Sequence, residues 1–259
     1  MSDIRLIVTD LDFTLLRSDQ SISDHTSEVF HKCREKGILT AFATARFIHG
    51  VKDFMDKVQP DYAVLNDGTM IYHGTSFLFG QPLHPEAVNG LIRKLKTLDP
   101  EIHLSAAAQE IVYRNHHQSG YTNFTPYSAF ADFEDPFKET VFKLVASPSQ
   151  EKYADRFTVF AEAHGCNTFQ YRGENRYAFL SKEAGKFSGI QKLADHLGIP
   201  LSQVAAFGDD KNDMEMVQKC GIGIAMENAI PELHAVANDV TLSNDQDGVA
   251  HYIEAHFLK

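Results

Sequence analysis

The hydrophobic residues at the start of this chain form a short run, followed by an amphipathic stretch. Apolar residues over 6–8 predict a buried strand that leads into Asp10. After a polar turn, Ser23 is a suitable N-cap for a helix with apolar residues on one side, and Gly37 is a suitable end for it. The opening of the sequence therefore predicts a strand followed by a helix.

The same alternation continues through the next part of the chain. Apolar residues over 38–43 predict a second buried strand, residues 48–57 a helix, and residues 62–65 a third, short strand. Strands that alternate with helices in this way form a parallel sheet with right-handed crossovers.

The pattern changes between about 82 and 182. A helix over 85–98 and another over 150–164 are interspersed with short alternating segments, which is typical of an antiparallel sheet. We therefore predict a separate α+β domain over 83–182. Its candidate strands are 103–105, 111–114, 141–146, 167–171 and 177–181.

The α/β alternation then resumes and continues to the last residues. The sequence predicts, in order, a helix ended by Gly198, a strand, a short helix, a strand and a last helix, over 186–197, 204–207, 214–219, 221–225 and 249–257. The predicted fold class is thus α/β, with a doubly wound parallel-sheet core built from 1–82 and 183–259 and an inserted α+β cap domain at 83–182.

Composition and charge narrow the classes of function. The chain has 259 residues, of which 43% are hydrophobic and 23% charged, as in ordinary globular proteins. A formal net charge of −11 argues against a nucleic-acid partner, because proteins that bind a phosphate backbone need a basic surface. No apolar stretch is long enough for a membrane span, and no leader-like segment precedes the first strand, so we expect a cytoplasmic protein without a membrane partner. The three cysteines are far apart, which agrees with reduced thiols.

Candidate chemistry first appears where the first strand ends. Asp10 and Asp12 are two residues apart at the carboxyl end of a predicted parallel strand, where open α/β sheets bind ligands. Two neighbouring carboxylates repel each other unless a cation or a proton offsets the repulsion. Oxygen ligands suit Mg²⁺, which commonly binds one or two carboxylates together with phosphate oxygens.

Four motifs in this order resemble those of the haloacid dehalogenase (HAD) superfamily. Asp10 to Thr14 reads Asp-x-Asp-x-Thr, Thr44 ends the second strand, Lys186 opens a helix, and 208–213 reads Gly-Asp-Asp-Lys-Asn-Asp. Further short matches make the chain similar to the Cof-type sugar-phosphatase branch, whose large α/β cap follows the third strand. These are Asn66-Asp67-Gly68, Asn228-Ala229 and Asp247-Gly248-Val249-Ala250.

The resemblance implies a role for each acidic residue. Asp10 would attack phosphorus and form an aspartyl-phosphate, and Asp12 would act as the general acid and base. Mg²⁺ would be held by an Asp10 oxygen, the Asp12 backbone carbonyl and Asp209. Asp213 would contribute through metal-bound water or by orienting Lys186.

The resemblance also implies how the phosphoryl oxygens are bound. Thr44, with a hydroxyl and a backbone amide, Ala45 beside it, Lys186 and Asn212 would contact them. Lys182 is a rival for the position of the lysine. Arg46 is as compatible with a structural salt bridge as with a place in the site.

Two positions depart from the pattern of Cof-type relatives, and the cap carries no motif. Phe13 and Ala45 stand where those relatives usually have glycine. Phe13 could narrow the mouth of the site or contact the cap, and Ala45 adds only a methyl group. Polar cap residues are candidates for substrate recognition, with a solvated surface as the alternative for each: Arg114, Arg172, Arg176 and Tyr177.

The sequence thus predicts a Mg²⁺-dependent phosphatase of small phosphoesters, with sugar phosphates the favoured class. A phosphomutase would use the same Asp10 and Asp12 and is the nearest alternative. A weakly catalytic protein that binds a phosphorylated ligand is the other alternative, and Phe13 is its only motivation. The oligomeric state stays open.

Overall fold

The computed structural model describes residues 4–116, 126–134, 136–171 and 173–259. These residues form two compact units. Unit 1 comprises the residues up to Phe79 together with Gly185–Lys259, and unit 2 is the continuous segment Gly80–Ala184. The sequence placed the corresponding boundaries at 83 and 182.

Strands and helices are numbered here in chain order. The strands are β1 (Leu6–Thr9), β2 (Leu39–Ala43), β3 (Tyr62–Leu65), β4 (Met70–His73), β5 (Ser76–Gly80), β6 (His103–Ala107), β7 (Val112–Arg114), β8 (Ser128–Phe130), β9 (Lys143–Ser147), β10 (Cys166–Gln170), β11 (Tyr177–Ser181), β12 (Val204–Gly208), β13 (Ile222–Ala225) and β14 (Asp239–Val240). The α-helices are α1 (Asp24–Glu35), α2 (Lys52–Val58), α3 (Pro85–Leu98), α4 (Phe157–Ala163), α5 (Lys186–Leu197), α6 (Met214–Lys219), α7 (Pro231–His234) and α8 (Gly248–His256).

Unit 1 is built on an eight-stranded sheet in the order β14-β13-β12-β1-β2-β3-β4-β5. The strands from β14 to β3 run parallel, and β4 is antiparallel to β3. From β1 the chain proceeds to one side through β2 and β3, and later returns on the other side through β12. The strand order therefore reverses beside β1, and the α/β fold class with a doubly wound core is confirmed.

The core of unit 1 explains why its strands are so apolar. All four residues of β1 are fully buried, and Val8 pairs in register with Ala206 of β12 and Ala41 of β2. Helices α5 and α6 pack on one face of the sheet through Ile190, Leu193 and Met216, among others. A strand buried on both faces has no polar side to expose, which is why it reads as a continuous apolar run.

Unit 2 has its own six-stranded sheet in the order β10-β11-β9-β6-β7-β8. Neighbouring strands are antiparallel, with the exception of the parallel pair β7 and β8. One sheet face buries Leu104, Leu144 and Phe179 together with apolar residues of α3 and α4. This cluster is a second hydrophobic core, separate in sequence from that of unit 1.

Several predicted elements are confirmed residue by residue, because capping residues mark their ends. Proline at the first position begins α3, and Gly198, with a φ of +63°, ends α5. The Ser23 hydroxyl accepts a hydrogen bond from the Thr26 N–H (3.0 Å), as expected for the N-cap of α1. The matching elements are α3, α5, α6, β3 and β11.

Two predicted helices are shorter than expected. In place of a helix over 48–57, a 3₁₀ turn at Ile48–Gly50 precedes α2, and in place of one over 150–164, a 3₁₀ segment at Glu151–Arg156 precedes α4. The 3₁₀ segment buries none of its residues, whereas α4 buries Phe157. Helices are stabilised mainly by packing, so the regular α-helix begins where an apolar face begins.

No helix in the described part of the chain combines the length and the apolar character needed to cross a membrane.

Candidate active site

Asp10 follows β1 and lies at the carboxyl edge of the sheet, beside the point where the strand order reverses. Its backbone N–H donates to the Phe207 carbonyl oxygen of β12 at 3.0 Å, and its carbonyl oxygen accepts from the Thr9 hydroxyl at 2.7 Å. The residue is only 6% exposed. The backbone therefore holds a buried carboxylate where doubly wound folds bind their ligands.

A tight turn, Leu11–Leu15, in which Asp12 and Phe13 have non-helical backbone angles, follows Asp10 and returns the chain toward the same edge. The Leu16 N–H donates to the Leu11 carbonyl oxygen at 2.8 Å and closes the turn. The Thr14 hydroxyl then donates to Asp209 Oδ1 at 2.7 Å, which ties the turn to the end of β12. Phe13, at the centre of the turn, has a φ of +58° and is 54% exposed.

Lys186 connects two of the acidic residues. Its Nζ lies 2.9 Å from Asp10 Oδ1 and 2.7 Å from Asp213 Oδ1, and the residue is only 3% exposed. The structure thus brings Lys186 into the candidate site. Lys182, the rival in the sequence, is exposed and belongs to unit 2.

Close backbone packing fixes the start of α5, which carries Lys186. A Cβ on Gly68 would lie 2.0 Å from the Gly185 carbonyl oxygen, and Gly68 has a φ of +85°. A Cβ on Gly189 would lie 2.6 Å from Val64 Cγ1. Glycine at both positions lets the loop after β3 touch the first turn of α5. The Asn66-Asp67-Gly68 motif therefore helps to place the lysine.

Asp213 organises the loop that follows β12. Its Oδ2 accepts hydrogen bonds from the backbone N–H groups of Asp209 (3.0 Å) and Asp210 (3.1 Å), while Oδ1 accepts from Lys186. Both oxygens of this fully buried carboxylate thus have protein donors. The geometry agrees with the predicted orienting action of Asp213 on Lys186.

Burial and charge shift the pKa values of these groups. Burial raises the pKa of Asp10 well above its usual range, against the lowering effect of Lys186, and the carboxylates of Asp213 and Asp209 add to the rise. Burial, followed by the charge of Asp213, raises the pKa of Asp209 to about 7. For Lys186, burial alone would lower the pKa, but Asp10 and Asp213 outweigh it and raise the value, so the ammonium stays charged.

The acidic cluster is suited to a hard divalent cation. One carboxylate oxygen from each of Asp10, Asp209 and Asp213 can be chosen so that all lie within 4.8 Å of one another. Carboxylate oxygens are the ligands that Mg²⁺ prefers, and a cation would relieve the repulsion that raises the pKa values of Asp10 and Asp209. The residues present therefore fit the predicted metal.

Asp12 is paired with an arginine that the sequence left undecided. Arg46 Nε donates to Asp12 Oδ2 at 2.9 Å and Arg46 Nη2 to Asp12 Oδ1 at 2.5 Å. Partial burial alone would raise the pKa of Asp12, but the hydrogen bond and charge of Arg46 outweigh it and lower the value. Asp12 lies two residues from Asp10 and is held by this ion pair.

The residues predicted to bind phosphoryl oxygens lie at the same sheet edge. Thr44 follows β2 and is buried, but its backbone N–H donates to the Val64 carbonyl oxygen at 2.9 Å. This amide is therefore already engaged within the sheet, and the contact of Thr44 with a phosphoryl oxygen stays a prediction for its hydroxyl. The Thr44 hydroxyl accepts from the Arg46 N–H at 3.2 Å and keeps its own hydrogen to donate. Ala45 follows Thr44, and Asn212 lies half-buried in the 3₁₀ turn before α6.

The candidate recognition residues of unit 2 have mixed positions. Tyr177 packs on the apolar cluster of this unit, its ring edge-on to Phe157 at 5.1 Å, so it is a packing residue. Arg114 ends β7 and is half-buried, and exposed Arg176 forms an ion pair with Glu174 at 2.8 Å. Arg172 lies outside the described residues.

Two contacts of the site do not follow from the sequence patterns. Thr14 was read only as part of a motif, yet its hydroxyl contacts Asp209. The pairing of Arg46 with Asp12 could have been suspected from charge, since each follows a neighbouring parallel strand. Sequence spacing alone does not fix side-chain directions, so it could not decide between a structural salt bridge and a place in the site. In the structure Arg46 forms a salt bridge, and its partner is the candidate site residue Asp12.

The chain is similar to known proteins over nearly its whole length. A family model described as haloacid dehalogenase-like hydrolase matches residues 7–253. The chain is 24% identical to 5-amino-6-(5-phospho-D-ribitylamino)uracil phosphatase YitU of Bacillus subtilis (strain 168), with 97% of each chain covered. It is also 24% identical to the HMP-PP phosphatase of Cronobacter sakazakii, over 98% of this chain and 96% of that one.

A solved structure shows the same fold. The chain superposes on a haloacid dehalogenase-like hydrolase from Bacteroides thetaiotaomicron with a TM-score of 0.83 and 22% sequence identity. The match covers 98% of this chain and 100% of that chain, so both units have counterparts in it.

Proposed function

Because the chain belongs to the haloacid dehalogenase-like hydrolase family, we propose that it is a Mg²⁺-dependent phosphatase of small phosphorylated metabolites, sugar phosphates in particular. The phosphatase activity itself has the broader support, since curated relatives that match nearly the whole chain are phosphatases. The metal and the substrate class are the finer parts of the proposal.

One observation carries the proposal: Lys186 bridges Asp10 and Asp213 at the sheet edge, with Asp209 beside them. A buried nucleophilic carboxylate, a fixed ammonium and a cluster that suits a divalent cation are what phosphoryl transfer asks of a protein. Few other reactions of an α/β enzyme need all three at one point.

In the first half of the reaction, an Asp10 oxygen attacks phosphorus. The bond from phosphorus to the ester oxygen breaks, and an aspartyl-phosphate forms. Asp12, which is ionised in its pair with Arg46, first takes up a proton and then donates it to the departing oxygen, which leaves as an alcohol. Lys186, the Thr44 hydroxyl and Asn212 bind the phosphoryl oxygens.

In the second half, water attacks the phosphorus of the aspartyl-phosphate. Asp12, now ionised, accepts the proton of the water, and the bond from phosphorus to the Asp10 oxygen breaks. Inorganic phosphate leaves and Asp10 is restored as a carboxylate. When bound by Asp10, Asp209 and the Asp12 carbonyl, Mg²⁺ would screen the charge between nucleophile and substrate, with Asp213 supporting it from behind.

The substrate class follows from charge and from the relatives. The net charge of −11 disfavours polyanions, whereas a small phosphoester needs only the local positive charge of Lys186 and the cation. The substrate for which the Bacillus subtilis relative is named carries its phosphate on a ribityl chain, which derives from a sugar alcohol. Phosphorylated sugars and sugar alcohols are therefore the first compounds to test.

The experiment is phosphate release by the full chain across a panel of sugar, sugar-alcohol and nucleotide phosphates, with and without Mg²⁺. Asp10→Asn removes the nucleophile, and Asp195→Asn, at an exposed position of α5, is the matched control. We expect Mg²⁺-dependent release by the wild type and by the control, and a loss of at least about 1,000-fold in Asp10→Asn.

Three outcomes would contradict the proposal. Folded wild type that releases no phosphate from any compound would remove the enzyme assignment and favour a binding role. Transfer of phosphate between positions of one sugar, without release, would identify a mutase. Full activity of Asp10→Asn would exclude the aspartyl-phosphate route.

A further inference from the structure

Arg46 holds the Asp12 carboxylate by both of its oxygens. The two hydrogen bonds, from Nε to Oδ2 at 2.9 Å and from Nη2 to Oδ1 at 2.5 Å, form the side-by-side pair that only a guanidinium can make. A carboxylate gripped at both oxygens cannot rotate about its own axis. Asp12 therefore has one defined orientation in this structure.

The guanidinium is itself fixed from several directions. Its Nη2 also donates to Gln20 Oε1, its Nη1 donates to the Gly50 carbonyl oxygen at 3.3 Å, and its plane lies 5.0 Å from the centre of the Phe54 ring. These contacts come from the loop before α1 and from the segment that leads into and through α2. The arginine is thus a rigid support and not a mobile surface side chain.

The backbone of Arg46 is tied to the sheet edge as well. Its N–H donates to the Thr44 hydroxyl at 3.2 Å, and its carbonyl oxygen accepts from the Asn66 N–H at 2.9 Å. Asp12, by contrast, lies in the turn Leu11–Leu15, and about a third of its side chain is exposed. The fixed element in the pair is therefore Arg46, and the element that needs fixing is Asp12.

A proton-transfer group must meet strict geometry. Its oxygen has to come within hydrogen-bond distance of the departing oxygen in one half-reaction and of the attacking water in the other. A freely rotating carboxylate spends most of its time in other orientations, and each misplacement costs rate. A two-point grip removes that rotation without adding a group to the reaction.

Phosphoryl binding by Arg46 is the competing role, and the contacts argue against it. Nε and Nη2 point at Asp12, Nη2 also points at Gln20, and Nη1 points at a backbone carbonyl. Lys186, in contrast, directs its ammonium at the nucleophile itself. The guanidinium faces the carboxylate of Asp12, and the ammonium faces those of Asp10 and Asp213.

We propose that Arg46 is a positioning residue that orients the Asp12 carboxylate for proton transfer and does not itself bind the phosphoryl group. This inference rests on the proposed phosphatase function. It assigns to the residue after Thr44-Ala45 a part in both half-reactions, exerted entirely through Asp12.

The test separates esters that need a proton from one that does not. An alkyl phosphate requires Asp12 to protonate its departing oxygen, whereas p-nitrophenyl phosphate releases a stable phenolate without help. In Arg46→Gln, we expect kcat/KM for the alkyl ester to fall about 10- to 100-fold and kcat/KM for the aryl ester to stay within about threefold. Arg46→Lys keeps the charge but not the two-point grip, so it should rescue the alkyl reaction only in part.

A double-mutant comparison tests whether Arg46 acts through Asp12. In an Asp12→Asn background, adding Arg46→Gln should change kcat/KM for the alkyl ester by less than about twofold. Arg17→Gln is the matched control. Arg17 also grips a carboxylate at two points, that of Asp247 at 2.9 and 2.7 Å, but away from the acidic cluster. It should leave both esters unaffected, and circular dichroism should show each variant folded.

Two results would overturn the inference: equal losses with the two esters, or an undiminished effect of Arg46→Gln in the Asp12→Asn background. Either one would show that Arg46 acts directly on the substrate or on the fold. Higher activity of Arg46→Gln toward the alkyl ester would make the ion pair inhibitory and overturn it too. Loss of the whole proposed function has a different signature, because wild type and Arg17→Gln would then also release no phosphate from either ester.

Discussion

The charge balance around Lys186 governs what the site can do. The Lys186 ammonium contacts the carboxylates of Asp10 and Asp213, and Asp209 completes the acidic cluster. The cluster thus has three carboxylates and one ammonium group. Such an arrangement is unfavourable in a buried place unless a proton or a cation joins it. Burial raises the pKa of Asp209 to about 7, and the charge of Asp213 adds to the rise; a divalent cation would relieve both effects.

Removal of the ammonium should damage both stability and catalysis. In Lys186→Met we expect the free energy of unfolding to fall by about 3 kcal/mol, because two buried carboxylates lose their partner, and kcat to fall at least about 100-fold. Denaturant unfolding and phosphate release measure the two effects. Lys186→Met combined with Asp213→Asn should recover part of the stability but none of the activity. A double variant less stable than Lys186→Met would contradict the charge argument.

Phe13, next to Asp12, has an unfavourable backbone conformation. Its φ of +58° is unfavourable for a side chain with a Cβ. In Phe13→Gly we expect the free energy of unfolding to rise by about 0.5–1 kcal/mol, since relief of strain exceeds the extra entropy of glycine in the unfolded chain. Thermal and denaturant unfolding give the measurement.

Gln59 provides the matched control for that substitution. It has a φ of +54° at the end of α2, remote in sequence from the acidic motifs. Gln59→Gly should give a similar gain in stability with unchanged kinetic constants, whereas Phe13→Gly should also change KM. A loss of stability in Phe13→Gly would mean that contacts of the ring outweigh the backbone cost.

At the scale of elements, the sequence predicted those whose ends carry their own signals. Helix α5 runs from Lys186 to Leu197 as expected, because the left-handed Gly198 that follows ends it. Strands β4 and β8 were not predicted, because both are short. Strand β4 pairs antiparallel with β3 and β8 pairs parallel with β7, and no local sequence pattern indicates either pairing. Helix α4 was placed too early, because the residues before Phe157 have helical propensity but no buried face.

For the candidate site, the sequence predicted which residues lie at the sheet edge but not how they pair. Strand order and the two halves of the core place Asp10, Lys186 and Asp209 together, since parallel strands end at one edge. The use of the Thr44 amide by the sheet and the grip of Arg46 on Asp12 depend on backbone register and on rotamers. Neither property can be read from residue spacing.

Helices α1 and α8 are joined by a charge network centred on Glu254. Lys32 Nζ lies 2.6 Å from Glu254 Oε1, His25 Nε2 lies 3.0 Å from Oε2, and the pKa of Glu254 falls to about 2, first through the Lys32 hydrogen bond. A lowered pKa stabilises the fold above the unfolded value of 4.5, and the effect is lost as the pH falls through about 2. Because the pair is partly exposed, the effect is small.

The corresponding variant is Glu254→Gln. At pH 7 we expect a melting temperature about 1–3 °C below that of the wild type, with the difference disappearing as the pH falls from 4.5 to 2. Glu215→Gln, which breaks an exposed pair with Lys219 inside α6, should have a smaller effect. A difference that stays constant over this range of pH would show that the carboxylate charge is not its source.

At the scale of the whole molecule, the candidate active site and the second hydrophobic core belong to different units. Each acidic residue of the candidate site belongs to unit 1, whereas unit 2 is one continuous segment with its own apolar cluster. We therefore expect the excised segment Gly80–Ala184 to fold alone, with a cooperative thermal transition in circular dichroism. Mg²⁺ should raise the melting temperature of the full chain and leave that of the segment unchanged.

Asp209→Asn in the full chain is the control for the metal effect and should remove most of the shift. A segment without a cooperative transition would show that unit 2 depends on unit 1 for its fold. A shift of equal size in the segment would place the bound cation outside the acidic cluster.

The discontinuity of unit 1 also orders the events of synthesis. When the ribosome has released residues up to Ala184, unit 2 is whole, but unit 1 has only β1 to β5 and lacks β12 and β13 on the other side of β1. At that stage Asp10 is already made, while Lys186, its counter-charge, is not. The nascent chain thus contains a complete unit 2 within an incomplete unit 1, and Asp10 has no lysine partner until the residues after Ala184 are made.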